Sequence, residues 1–406
     1  MLRWLTAGES HGQALVATLE GVPSGLTLTT ETIRNALSRR RLGYGRGSRQ
    51  KWEQDTVTLL GGVRHGNTTG APIALTIKNA EWPKWETVMS PDPVAPEDLL
   101  IHAGKGDERE IARNKSLTRP RPGHADLPGM LSYNLDDARP VLERASARET
   151  AARVALGAIA EELLRQVADI HLVSHVVAVG DEKAVHGALP TPDDEKTLDL
   201  SVVRTCDKDA EKRFIRRIDD AQAAGDTVGG VVEVVAWGVP IGIGTHVQAD
   251  RRLDGRLAAA LMSIQSVKGV EVGDGFEQAS RPGSSAHDEI VHHKNDGLTR
   301  VSNRAGGIEG GTSNGQPIVV RAALKPISTV PRALRTVDMS TGEEVTAHHQ
   351  RSDICQVVPG AVIAQAKVAL VLADLLSSHA GGNSVEEARR NLHAYREALK
   401  AREQWT

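Results

Sequence analysis

Aromatic residues are sparse, with phenylalanine, tyrosine and tryptophan making up 3% of 406 residues. So small a supply argues against a surface that stacks the bases of single-stranded nucleic acid. Cysteine is scarcer still, represented by Cys206 and Cys355. Two thiols build no disulfide framework, and neither stands in a metal-ligand spacing, which points to a reducing, cytoplasmic setting. No uninterrupted apolar run approaches 18 residues, so no membrane span is expected. The opening stretch MLRWLTAGESHG lacks the long apolar region of a secretory signal. A large charge of one sign is missing too. The net charge is −3, and 40% apolar with 25% charged residues is ordinary for a globular chain.

What the sequence does have is well-punctuated secondary structure. Strands are expected over 2–6, 14–19, 56–60, 72–77, 171–179, 228–237 and 318–324. Helices are expected over 30–40, 147–168, 209–223, 253–264, 362–378 and 385–402, with 80–113 a long loop. The first half of helix 147–168 is apolar on nearly every side, as buried helices are. The order is not a regular strand–helix alternation, which implies an α+β fold of mostly antiparallel sheet around buried helices. One large domain over 1–406 accommodates it. One stretch echoes another: GGVRHGNTTGAPI (61–73) aligns without a gap to GGIEGGTSNGQPI (306–318), sharing four glycines and a Pro-Ile pair. A duplicated scaffold with two related halves would leave this trace.

Several motifs carry chemistry. RRRLGYGRGSRQK (39–51) holds six cations and no acid, against the sign of the whole chain. Its glycines at 43, 45 and 47 would let it fold over an anion as a lid, while an RNA-binding arm would need the cations spread over a broad face. GESHG (8–12) has the spacing of a serine-hydrolase elbow, but a strand is expected after it where the elbow needs a helix. His11 remains, in a glycine-flanked turn. In RPRPGHAD (119–126) the Pro122–Gly123 turn presents His124, and Asp126 either orients the imidazole or caps a helix. In ERASARET (143–150) Ser146 and Glu149 have the spacing of a capping box. Arg144 and Arg148 then sit at the positive end of a helix, which suggests a bound anion. GGIEGGTSNGQP (306–317) is neither a P-loop nor a dinucleotide fingerprint, but its backbone can close over a cofactor. HHQRSDIC (348–355) sets Arg351 two residues from Asp353. The pairs His292/His293 and His348/His349 lack carboxylates at metal-ligand spacing, so no metal is expected. Many arginines, two turn-presented histidines and glycine-rich cradles suit a polyanionic substrate and a phosphate-bearing cofactor.

The motifs GESHGQALVATLEGVP, RRRLGYGRGSRQK, RPGHAD, ERASARETAARVALGAI, GGIEGGTSNGQPI, KPIST and RSDIC, in this order, resemble chorismate synthase, closely its actinobacterial-type members. The resemblance covers the chain up to its last helix. It implies a β-α-β sandwich with internal pseudo-symmetry, usually assembled as a homotetramer. It implies anti 1,4-elimination of phosphate from 5-enolpyruvylshikimate 3-phosphate, dependent on reduced FMN. His11 then corresponds to a proton donor near the leaving phosphate, His124 to the histidine at the flavin N1/C2 edge, and Asp353 to the aspartate near N5. Substrate-binding or NADPH-assigned arginines carry over to Arg40, Arg46, Arg49, Arg121, Arg148 and Arg351. Flavin contacts carry over to Arg144, Ala145, Ser146, Gln265, Ser266, Gly310, Lys325, Pro326, Ile327, Ser328, Thr329 and Arg351. The monofunctional bacterial class fits the absence of a dinucleotide fingerprint, leaving flavin reduction to a separate reductase, with NADPH a candidate reductant. The chain departs from the family at Ser352, where a histidine is common, and at Gln365, where a glutamate is usual.

Overall fold

The computed structural model describes residues 1–47, 55–99, 113–185, 187–293, 297–347 and 353–403. Its strands are β1 (Arg3–Ala7), β2 (Ala14–Glu20), β3 (Thr56–Gly61), β4 (Ile73–Lys78), β5 (His171–Val179), β6 (Glu182–Lys183), β7 (Gly230–Trp237), β8 (Val267–Val272) and β9 (Ile318–Leu324). They form two antiparallel sheets, ordered β1-β2-β4-β3 and β8-β9-β7-β5-β6. The longer helices are α1 (Thr30–Arg40), α2 (Asp126–Tyr133), α3 (Arg139–Ala145), α4 (Thr150–Ala168), α5 (Lys208–Ala223), α6 (Leu253–Met262), α7 (Val357–Ala380) and α8 (Val385–Glu403). Helix α4 packs on β2 of the first sheet and on α7, and α7 packs on β5 and β7 of the second. The layering is therefore sheet, helices, sheet.

The two central helices are covered on both sides, which is why their sequences are apolar all round. Helix α7 is long and apolar enough to cross a membrane, but 94% of that stretch is buried inside the molecule. It starts five residues before the sequence suggests. Pro359 falls in its first turn, where no helical N–H is required. The two helices cross at Gly157 and Ala366. A Cβ on Gly157 would stand 2.3 Å from the Cβ of Ala366 and 2.6 Å from its Cα. Gln365 beside that crossing is buried. Its amide accepts from Ser174 Oγ (2.8 Å) and donates to Glu161 (3.2 Å) and to the Leu172 carbonyl, so it ties α7 to α4 and β5.

The sequence echo is a structural repeat. Leaving aside the two-residue β6, both sheets run first, second, fourth, third in chain order. In each half a two-residue ribbon, Val63–Arg64 with Asn67–Thr68 or Ile308–Glu309 with Thr312–Ser313, precedes the last strand. Thr68 Oγ1 donates to the Pro23 carbonyl (2.6 Å) and accepts from Leu26 N (2.9 Å). Ser313 Oγ repeats this with the Pro240 carbonyl (2.6 Å) and Ile243 N (2.8 Å). The partners lie in GVPSGL (21–26) and GVPIGI (238–243), a second pair of matching segments.

Three local expectations differ from the structure. The segment 80–113 is not all loop, since Trp82–Trp85 forms one helical turn. Helix α3 lies where none was expected. There is no capping box at α4: Ser146 Oγ accepts from Arg148 N and starts a 3₁₀ turn, while Glu149 turns inward.

Candidate active site

The β1–β2 turn carries His11. It leads directly into strand β2, so the serine-hydrolase elbow is absent, and Ser10 accepts a hydrogen bond from Ser146 Oγ (3.1 Å). The His11 Nδ1–H donates to the Glu143 carboxylate at 2.8 and 3.0 Å, and the His11 backbone N–H donates to Glu143 Oε2 at 2.8 Å. Glu143 is 1% exposed. The His11 ring stacks on Trp85, with centroids 3.8 Å apart and planes 22° from parallel. Arg113 and Arg139 lie 5.2 and 5.6 Å from the same indole.

The second histidine is built by the Arg121–His124 turn, closed by His124 N donating to the Arg121 carbonyl at 3.2 Å. Asp126 orients the ring by accepting from His124 Nδ1, rather than capping α2. Arg121 forks onto the same carboxylate (2.8 and 3.0 Å) and reaches Thr329 Oγ1 (3.2 Å). Burial favours the protonated Asp126 carboxyl, but hydrogen bonds from His124 and Arg121, with their charges, hold it well below the usual carboxylate range. Lys325 Nζ donates to the Gly123 carbonyl, joining this turn to the KPIST segment.

Asp353 is held by Gly47 N (2.7 Å) and Arg46 (3.1 Å). Burial lowers the Arg46 guanidinium pKa, and Asp353 opposes that shift. Arg40 and Arg148 share the buried Asp55, at 3.9 and 3.1 Å. Arg39 pairs with Glu195 and Asp199. Arg39, Arg40 and Arg46 of this patch thus each have a carboxylate partner within the chain. Two of its glycines are packed: a Cβ on Gly43 would meet Val358 Cβ at 2.9 Å, and one on Gly45 (φ +75°) would meet Ile218 Cγ2 at 2.7 Å, while 48–51 of the expected lid lie outside the described residues. Arg49, Arg351 and Ser352 lie outside the described residues.

Of the remaining candidates, Arg144 and Gln265 meet at Glu149 and form a cradle around it. Its carboxylate accepts from Thr6 Oγ1 (2.7 Å), Arg153 (2.7 Å) and Gln265 (3.3 Å), with Arg144 at 3.9 Å. Burial raises its pKa, but Arg153, Thr6 and Gln265 bring it below the ordinary value. Arg144 also donates to the Thr6 and Gly8 carbonyls at 2.9 and 3.0 Å. Arg144 and Arg148 thus both have partners within the chain, Thr6, Gly8 and Glu149 for the first and Asp55 for the second. Ser266 holds a left-handed backbone (φ +72°), accepts from Gln356 and receives Lys325 N at its carbonyl (2.9 Å). Gln265 Oε1 is buried with no hydrogen-bond partner, an orphaned acceptor that a ligand N–H would satisfy. Arg144 and Lys325 are the cations among these remaining candidates. Ala145, Pro326, Ile327 and Ser328 fall between these residues along the chain. Gly310 does not join them: it borders a separate open cavity with Asp254, His287 and Glu309.

Hydrogen bonds and an ion pair, joined by the peptide links 143–144, 265–266 and 123–124, thus connect His11 through Glu143, Arg144, Glu149, Gln265, Ser266, Lys325 and Gly123 to His124. Sequence reasoning passed over Glu143, Asp55 and Trp85. Glu143 did leave a signal. It sits in the last turn of α3, where a negative charge opposes the helix dipole and asks for another partner.

A family profile for chorismate synthase matches residues 2–377. A chorismate synthase of Streptomyces coelicolor is 60% identical over 401 residues, covering 99% of each chain. One of Beutenbergia cavernae is 60% identical over 400 residues, covering 98% of this chain and 99% of that one. A crystal structure of chorismate synthase superposes with a TM-score of 0.76 at 38% identity, over 98% of both chains.

Proposed function

The chain belongs to the chorismate synthase family, and we propose on that premise that it converts 5-enolpyruvylshikimate 3-phosphate to chorismate and phosphate, the last common step of the shikimate pathway, with reduced FMN as cofactor. The C3–O bond to phosphate and a C6–H bond break in anti 1,4 fashion, and substrate and product stand at the same oxidation level. The observation that carries the reading is the contact path linking both histidines to a cradle with an orphaned acceptor.

Bound in that cradle, reduced FMN supplies transient electron density toward the allylic C–O bond and an acceptor for the C6 hydrogen. Arg144, Ala145, Ser146, Gln265, Ser266 and Lys325 through Thr329 hold it. Arg40, Arg46, Arg121 and Arg148 position the phosphate and the two carboxylates of the substrate. At about 4 Å each cation–anion pair is worth roughly 4 kcal/mol at an effective dielectric near 20. His11 would give its proton to the departing phosphate, and His124 and Asp353 would each hold or move a proton beside the cofactor. Arg49, Arg351 and Gly310 complete the set through the resemblance alone. The assembly is a cytoplasmic homotetramer, with a separate reductase regenerating the flavin and NADPH as the reductant.

The test is turnover without oxygen on photoreduced FMN, counting chorismate per flavin reduced. Many products per flavin, and none with oxidised FMN, are expected. A ratio near one would mean that the reductant is consumed and would overturn a catalytic role for the flavin.

A further inference from the structure

We infer that Glu143 is the positioning residue of His11: its carboxylate fixes the protonated Nδ1 and the backbone of the turn together, so that Nε2 is the nitrogen that carries the mobile proton. The inference deepens the proposed reaction and rests on it. Three observations support it. One carboxylate takes both the His11 ring N–H, at 2.8 and 3.0 Å, and the His11 backbone N–H, at 2.8 Å. The Glu143 carbonyl also accepts from Ser10 N at 3.1 Å, so α3 and the β1–β2 turn are stitched by backbone as well as side chain. Trp85 covers a face of the ring at stacking distance, which opposes rotation about the Cβ–Cγ bond. Glu143 is itself held, with Arg139 at 3.7 Å one turn earlier on the same helix.

A carboxylate accepts and cannot donate, so the neutral form of His11 is the Nδ1–H tautomer. The imidazolium then gives its Nε2 proton to a phosphate oxygen as the C3–O bond breaks, and the ring returns to that neutral form. The Nδ1 proton stays on the ring throughout. Replacing Glu143 by glutamine keeps the length and an acceptor for the backbone N–H. It removes the charge and offers a donor in its place, so the tautomer is no longer dictated.

The experiment is Glu143→Gln, read by turnover and by ¹⁵N NMR of histidine-labelled protein, with the His11 signal assigned by its loss in His11→Ala. Expected are a kcat about 100-fold lower or more with KM within about threefold, and a His11 signal that leaves the Nδ1–H position. In a His11→Ala background the substitution adds no further loss. A kcat within about threefold of wild type, an unchanged tautomer, or an equal loss in the His11→Ala background overturns the inference. If Glu143→Gln does not fold, Glu143→Asp decides: the tautomer must persist while kcat falls, because the charge remains and the reach shortens. The tautomer is read without turnover, so failure of the pairing is distinguishable from failure of the proposed reaction, which wild-type turnover tests.

Discussion

Gly157→Ala should weaken the fold, against what helix propensity says. In an exposed helix the change gains about 1 kcal/mol. Here the new Cβ meets Ala366 Cβ at 2.3 Å and its Cα at 2.6 Å. Carbon atoms rest at about 3.5–4.0 Å, so α4 and α7 must part by more than an ångström where they cross. The obstacle is backbone and a Cβ, with no rotamer to move aside. Overpacking of this kind costs about 1–3 kcal/mol, and rigid surroundings put this site at the upper end. The expected net loss is about 2 kcal/mol, read as a lower urea midpoint by circular dichroism at fixed protein concentration. Ala366→Gly should cost about 1 kcal/mol alone and absorb most of the Gly157→Ala penalty in the double variant, a coupling of at least 1 kcal/mol. A Gly157→Ala midpoint at or above wild type, or an equal penalty in both backgrounds, refutes the crossing as described.

Arg46→Ala should weaken substrate binding at least tenfold and FMN binding less than threefold, since the ion-pair partner of Arg46 among the described residues is Asp353, outside the cradle. Separate titrations check this, and equal losses would defeat the assignment. Lys367 is 4% exposed, with its amine 4.3 Å from the Trp4 ring centroid. Burial, helped by Arg153 and opposed by Glu149, lowers its pKa from 10.5 to about 8. Between those values the unfolded chain binds more protons, so this group makes stability rise with pH. Lys367→Met should therefore be more stable than wild type by about 2–3 kcal/mol below pH 8, with the advantage fading toward pH 10.5. Unfolding across that range tests it, and an advantage independent of pH counts against the buried charge.

Alternation and apolar runs placed β2, β4, β5, β7, β9 and the two central helices, because local burial patterns record which faces meet the core. The repeat at 61–73 and 306–318 pointed to the duplicated sheets because three of its shared glycine pairs, 62/307, 66/311 and 70/315, hold positive φ in both copies. Side-chain partnerships were less legible. Glu149 has the spacing of a cap, yet its carboxylate goes to Thr6 and Arg153, since burial makes those partners worth more than an exposed N–H. The glycines at 43 and 45 were read as freedom, whereas they permit close approach. Glu143 and His11 are 132 positions apart, and no local pattern records such a pairing. His11, His124 and Asp353 stood out because each lies in a turn or beside an arginine.

The crossing of α4 and α7 also governs how the protein is made. Helix α4 leaves the ribosome with an apolar surface whose cover is encoded about 200 residues downstream. At about 5–20 residues per second that is roughly 10–40 s of synthesis. The first sheet can form and shield one side of α4 in that interval, but the side bearing Gly157 waits for Ala366. Nascent chains stalled before α7 should thus be captured by chaperones that bind exposed apolar helix, and chains that include α7 should escape them.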